Sequence, residues 1–352
     1  VTVWSPATAE ECCTSCRGSD FGFKCVAWEW WAAGSACYLC SSEVLPHRGQ
    51  QSGHVTGCLD ERCGSAGVDY TVNSGATDDP VPNQESQSTM WVTSAALPGG
   101  PGGATPISPE AWRAPAQFDA TRGSWPRNQI VARLDGSWLL PVYNESLKTV
   151  GHADEYSFIY TKPSASPVLP LAGWSKLKFN NSGYLVQPTV VRVKIGHPLL
   201  RVFFRDRRAV NIYTATSPDD GVTWTGPVAT SLPNNNAGIH ATRLASGAIV
   251  LAYNNMTGDP GHDLRFSLVV SISDDGGVNF PTTRVLEYRP PIAGAKGFTD
   301  GRDVGGVGPT SCDCYSYPWV SQSEDGWIHI AYTYQRRTIK YNRVSEDWIR
   351  GK

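Results

Sequence analysis

Ser217-Pro218-Asp219-Asp220-Gly221-Val222-Thr223-Trp224 and Ser273-Asp274-Asp275-Gly276-Gly277-Val278-Asn279-Phe280 are two copies of one pattern, Ser-x-Asp-x-Gly-x-(Thr/Asn)-aromatic. A polar turn that recurs with its aromatic anchor marks one supersecondary unit used repeatedly, so the fold is to be sought as an array. In each copy the Asp side chain is suited to cap backbone N–H groups of the turn, and the Gly tolerates positive φ. The aromatic is placed to pack between neighbouring sheets. The motif is therefore read as structural and carries no chemistry of its own.

A second periodic signal supports the array. Four segments run apolar strand, Gly turn, apolar strand: Ile130 to Tyr143, Val190 to Phe204, Ala241 to Tyr253 and Val320 to Tyr334. Their turn glycines Gly136, Gly196, Gly247 and Gly326 are 60, 51 and 79 residues apart. Blades of four strands recur at about 40–50 residues before loops are added. The long last interval is assigned to an insertion over residues 288–314. Short alternating runs, frequent Gly and Pro turns and no extended 3.6-residue period predict an all-β chain.

With 352 residues, 13 Trp and 14 Tyr, the chain can bury a large core. Its net charge of −2 and 18% charged residues leave no basic footprint, which argues against a nucleic-acid partner. No run of 18 apolar residues exists to span a membrane as a helix. No signal peptide is visible and the first residue is Val1, so a processed or partial chain is expected.

Eight of the ten cysteines, Cys12, Cys13, Cys16, Cys25, Cys37, Cys40, Cys58 and Cys63, crowd the first 63 residues, and only Cys312 and Cys314 lie beyond. A dense cluster in a short span staples a module too small to hold itself by apolar burial, in an oxidising compartment. Zinc is the competing reading, because Cys13-x-x-Cys16 and Cys37-x-x-Cys40 have ligand spacing. Three N-glycosylation sequons, at Asn144, Asn180 and Asn255, favour a secreted, disulfide-bonded glycoprotein. No metal or cofactor is expected; Asp259 and Asp263, in a Gly-flanked loop, are read as solvated turn carboxylates ahead of a Ca²⁺ site.

Thr8-Ala9-Glu10-Glu11-Cys12-Cys13-Thr14-Ser15-Cys16, Cys25-Val26-Ala27-Trp28 and Cys37-Tyr38-Leu39 together resemble a PAN/Apple module. Thr8 with Glu11 also forms a capping-box start for the helix that such a module carries. The resemblance implies binding of proteins or carbohydrates and no catalysis. Residues 1–63 are assigned to this module. Residues 64–115, rich in Gly, Pro and Ser, are assigned to a linker in which Thr89 to Leu97 is able to add one strand.

From residue 116 onward Trp138-Leu139-Leu140-Pro141, Gln187-Pro188-Thr189, Phe203-Phe204-Arg205-Asp206, Ser316-Tyr317-Pro318 and Tyr332-Thr333-Tyr334-Gln335 follow in order. With the two Asp-box turns they resemble the BNR-repeat, sialidase-like β-propellers. The resemblance implies a carbohydrate-facing site at one end of a central channel. Such propellers have six blades and this chain displays four, so a fragment or a ring completed from elsewhere is expected. Open strand edges favour pairing with other copies of the chain.

Nine residues before each turn glycine stand Arg127, Gln187, Gly238 and Tyr317, equivalent positions near the starts of the inner strands. The resemblance puts Tyr317 where sialidases keep a nucleophilic Tyr, which needs a carboxylate to take its proton. Gly238-Ile239-His240 carries no Glu where that partner is expected, and no second substrate-binding Arg is found near Asn254-Asn255. Asp154 is the acid/base candidate. Arg127, Gln187, Arg205, His240, Arg336 and Arg337 are candidate glycan contacts, the arginines as clamps for an anionic sugar. The leading expectation is a secreted glycan-binding or assembly protein with little turnover, whose partners are glycans or glycoproteins. The alternative is a retaining exo-glycosidase.

Overall fold

The computed structural model describes residues 27–31, 36–40, 55–57, 68–74, 89–95, 112–145, 152–163, 173–258, 265–288, 315–335 and 338–352. Strands β1 (Ala27–Trp31) and β2 (Ala36–Cys40) form an antiparallel pair. The eight-cysteine pairing pattern, Cys312, Cys314 and the helix of the PAN/Apple resemblance lie outside the described residues.

Five antiparallel sheets follow. The first joins β3 (Val55–Gly57), β4 (Val68–Ser74), β5 (Thr89–Ala95) and β6 (Ala116–Asp119). The second contains β7 (Ser124–Pro126), β8 (Val131–Ala132), β9 (Trp138–Asn144), β10 (Tyr156–Lys162) and β11 (Ser175–Lys178). The third runs β12 (Leu185–Arg192), β13 (Leu200–Asp206), β14 (Asn211–Ser217) and β15 (Val228–Pro233). The fourth runs β16 (His240–Arg243), β17 (Ile249–Asn254), β18 (Ser267–Ser273) and β19 (Thr282–Tyr288). The fifth has three strands, β20 (Tyr315–Gln322), β21 (Ile328–Tyr334) and β22 (Thr338–Val344), and is followed by helix α1 (Glu346–Arg350).

The four hairpins read from the sequence are the inner strands of the second to fifth sheets, arranged as propeller blades. The 64–115 stretch, expected as a linker able to add one strand, adds two. Besides β5 it contributes β4, and the two pair along seven residues. Composition misled here because Met90, Val92 and Phe118 bury themselves against Trp138, Leu140, Val142, Phe158 and Tyr160 of the second sheet. The neighbour supplies the apolar surface that the segment lacks.

Each sheet packs face to face on the next, so its inner strands must be apolar on both sides. On β9, Leu140 and Val142 face the first sheet, and Leu139 faces Leu200, Val202 and Phe204 of the third. On β17, Ile249, Leu251 and Tyr253 pack against Phe203 and Ile212 of the third sheet, whereas Val250 and Ala252 meet Val320, Ile328 and Ile330 of the fifth. The near-continuous apolar runs of the hairpins are therefore a consequence of double-sided burial.

Both Asp-box turns close as their sequence implies. Asp219 Oδ1 accepts from Ser217 Oγ and Thr223 N, each at 2.8 Å, and Ser217 Oγ accepts from Gly221 N at 2.7 Å. Asp275 does the same with Ser273, Val278 and Asn279. The anchors are half-buried and reach across sheets: Trp224 lies 5.1 Å from Phe179, and Phe280 lies 5.8 Å from Phe203. Asp220, inside the first turn, accepts from Leu134 N and Arg192, tying the second sheet to the third. We expect Trp224→Ala to lose about 3 kcal/mol of stability in denaturant unfolding. A loss under about 1 kcal/mol would mean the ring does not bridge the blades.

A second tie is ionic. The Arg207 guanidinium, after β13, bonds both Glu145, after β9, and Glu155 Oε2 (2.7 Å), and His152 Nδ1 lies 2.8 Å from Glu155 Oε1. Both carboxylates are buried. Burial pushes Glu155 up, but the His152 hydrogen bond and the Arg207 charge outweigh it and hold the carboxyl below its ordinary range. A depressed acid stabilises the fold above its unfolded pKa of about 4.3, and that contribution is lost as pH falls through the folded value. Arg207→Ala, which removes the guanidinium that two buried carboxylates share, should cost about 3–5 kcal/mol. Acid unfolding below about pH 4 should be shallower in Glu155→Gln, as followed by thermal midpoint against pH.

Candidate functional site

Inner strands β12 and β20 each break their ladder near the start, where the register shifts between Val186 and Thr189 and between Ser316 and Trp319. At the two bulges Gln187 and Tyr317 take φ of 52° and 55°, each followed by proline. Left-handed backbone at a non-glycine residue costs on the order of 1 kcal/mol or more and is held only by its surroundings. Bulges of this kind re-aim a side chain.

The surroundings centre on Arg127 and Asn128, just after β7. Asn128 is fully buried, and its Nδ2 donates to the carbonyls of Gln187 and Pro188 at 3.0 and 2.9 Å. Arg127 Nη1 donates to Ile239 O (2.7 Å) and Asn128 Oδ1 (2.9 Å), and Nη2 donates to Pro318 O (3.1 Å). Two adjacent side chains of the second sheet thus hold the strand starts of the third, fourth and fifth.

Three guanidinium groups gather around one phenol ring. Arg127 Cζ lies 5.6 Å and Arg265 Cζ 5.2 Å from the centre of Tyr317. Arg205, at the end of β13, is close enough to act on Arg127. Burial lowers the Arg127 pKa to about 10; Tyr317 opposes the shift, while the charges of Arg205 and Arg265 add to it. Burial, with Arg207 and Arg265, lowers Arg205 as well. Arg205 is 4% exposed and uses only Nε, on Asn236 Oδ1 at 2.9 Å, among the described residues. The cluster is a pre-assembled positive site whose members repel one another, the condition under which an anion binds favourably.

Gly238 closes the arrangement. A Cβ there would lie 2.9 Å from Tyr317 Cδ1 and 3.0 Å from Arg127 Cζ. The space a glutamate would enter is occupied by the Tyr317 ring and the Arg127 guanidinium.

The structure brings together Arg127, Gln187, Arg205 and Tyr317 of the expected residues. Gln187 Nε2 donates to Tyr143 Oη at 3.4 Å. His240 is fully buried, stacks 4.2 Å from Trp319 and accepts from Val320 N at Nδ1, and burial beside Arg127 keeps it neutral. It links the fourth sheet to the fifth beneath the site. Asp154 stands exposed on the turn before β10, next to the buried Glu155. Asp206 pairs with Arg208, leaving its neighbour Arg205 to the channel. Arg336, Arg337, Asp259 and Asp263 lie outside the described residues. Among the described residues no group of three His, Cys, Asp or Glu is placed to hold a metal, and no helix is long and apolar enough to cross a membrane.

Residues 76–330 match the family model for the BNR repeat-like domain. The chain belongs to that family. None of the curated proteins compared with it matches. Among solved structures, this BNR-repeat propeller is similar to Trypanosoma rangeli sialidase, with TM-score 0.53 and 12% identity over 84% of this chain and 46% of that one. A Dyadobacter fermentans protein of unknown function gives TM-score 0.51 and 13% identity, covering 85% and 79%. The intramolecular trans-sialidase from Ruminococcus gnavus, solved with oseltamivir carboxylate, gives 0.50 and 15%, covering 75% and 51%. The BNR-repeat chain spans only 36–51% of the length of the sialidases it matches. At such identities the likeness concerns the fold.

Arg265 is the site residue that sequence reasoning missed. The resemblance calls for an arginine near Asn254-Asn255, at the end of β17; Arg265 lies across that hairpin, ahead of β18, where Asn255 N donates to Ser267 O, and reaches the Tyr317 ring. Hairpin pairing of Asn254 with Leu268 was the signal available. Gly238→Ala, whose Cβ meets both Tyr317 and Arg127, is expected to lower the thermal midpoint and, in the protein that remains folded, to weaken binding of an acidic ligand at least tenfold. Unchanged binding by calorimetry with a sialoside would place the ligand elsewhere.

Proposed function

We propose that this chain is a secreted glycan-binding or extracellular assembly protein that holds an acidic, carboxylate-bearing glycan at the arginine-lined end of its propeller and hydrolyses it slowly or not at all. The observation that carries this reading is the gathering of Arg127, Arg205 and Arg265 around Tyr317, with Gly238 in the position a proton-accepting carboxylate would need. Among the leading influences on Arg127 and Arg205 are arginines and tyrosines and no carboxylate. A phenol is a poor nucleophile at neutral pH without a base to take its proton. The neighbour from Ruminococcus gnavus, held with a carboxylate ligand, supports the choice of anion. Its glycan or glycoprotein partners, and pairing with further copies through open strand edges, belong to the same proposal.

Turnover is the second reading, favoured by Tyr317 itself, a strained residue aimed between two arginines. The two are separated by measuring release from aryl sialosides and other aryl glycosides beside glycan-array binding. For the binding reading, wild type and Tyr317→Phe both bind acidic glycans and neither releases aglycone. Arg205→Ala should lower the affinity about 10- to 100-fold, the scale of a lost hydrogen bond to a charged group. Turnover abolished by Tyr317→Phe would establish the glycosidase instead.

A further inference from the structure

The three sequons fall on one face of the propeller. In each antiparallel blade the inner strand starts at the channel end that holds Arg127, Gln187 and Tyr317, so the second strand returns to that end and the fourth leads back to it. Asn144 closes β9, a second strand. Asn180 lies between β11 and β12, where Tyr184 N donates to Glu155 O and Arg207 N to Tyr184 O. Asn255 follows β17, and its neighbour Asn254 donates to Tyr315 O, two residues from Tyr317.

Their surroundings differ. Asn180 and Asn255 are exposed, and no side-chain hydrogen bond engages either amide among the described residues. Asn144 is half-buried, and its Nδ2 donates to Arg122 O at 3.1 Å. It also packs beside Gly123, where even an added Cβ would lie 3.4 Å from that Nδ2 and 2.3 Å from Glu145 O. A sugar on Asn144 would have to displace this contact and the adjoining Glu145, which is paired with Arg207. At Asn180 and Asn255 a sugar enters open solvent.

We infer that Asn180 and Asn255 are N-glycosylation sites of the secreted chain, that Asn144 is left unmodified, and that the two glycans stand beside the mouth of the arginine channel. In the transfer the Asn Nδ2 bonds to the anomeric carbon of an oligosaccharide while the bond from that carbon to a lipid diphosphate breaks. The diphosphate leaves and the amide gives up one proton to the transferase's base. The inference rests on exposure, on topology and on the secretion proposed above, and is independent of which ligand the channel takes.

The test is secretion of the whole chain from a eukaryotic host, followed by enzymatic deglycosylation in ¹⁸O-water, which converts each occupied Asn to heavy Asp, and peptide mass spectrometry. Heavy Asp is expected at 180 and 255 and light Asn at 144. Asn180→Gln and Thr257→Ala should each remove one glycan from the intact mass, and Asn144→Gln none. Modification at Asn144, or an unmodified Asn180 or Asn255 in folded secreted protein, overturns the assignment. Thermal midpoints show that the variants compared are folded.

Discussion

The strand starts of the third, fourth and fifth sheets depend on the donors of Arg127 and Asn128. A bulge followed by proline removes ladder hydrogen bonds twice over, by shifting register and by deleting an N–H. The carbonyls of Gln187, Pro188 and Pro318 are left facing a crowded interior, where an unmet acceptor costs about 1–3 kcal/mol. Two side chains from one short segment meet them and Ile239 O together. Because the bonds cross from the second sheet to the third, fourth and fifth, they hold the relative position of blades, which face-to-face apolar packing alone fixes only loosely.

The latch and the proposed binding site share atoms. The bulges that free these carbonyls also give Gln187 and Tyr317 their positive φ, and the guanidinium that meets Pro318 O is one of three that surround the phenol. Arg127 is thus committed chiefly to the fold, whereas Arg205 keeps its terminal nitrogens uncommitted to other described residues. A burial that would be unfavourable for Arg205 alone is tolerated because the scaffold places it there. The proposed anion would relieve repulsion among charges already desolvated.

Much of the fold was legible in the sequence because blade chemistry is local. The turn at Asp219 needs only residues 217–223, and each inner hairpin declares itself in about fourteen residues. The first sheet was hidden because Met90 and Val92 of β5 take their apolar partners from the second sheet, and no window over 64–115 contains Trp138 or Phe158. Counting back from the turn glycines located Arg127, Gln187, Gly238 and Tyr317, since register along equivalent strands is preserved. Arg265 escaped the count because it precedes a third strand, and His240 looked like a contact because sequence does not say which face of β16 turns inward.

Gly238 is where fold and chemistry part. Propeller assembly needs the strand start to pass close to Arg127 and Tyr317, and a glycine allows that approach without demanding any particular reaction. Nucleophilic use of Tyr317 demands a carboxylate within reach of its hydroxyl, and the position best placed to offer one carries no side chain. Restoring it by Gly238→Glu would not suffice, because the new Cβ must first push aside the arginine that joins three blades. The latch therefore opposes recovery of a base at that position. In this chain the contacts that join the third, fourth and fifth sheets occupy the volume that a carboxylate at position 238 would have to enter.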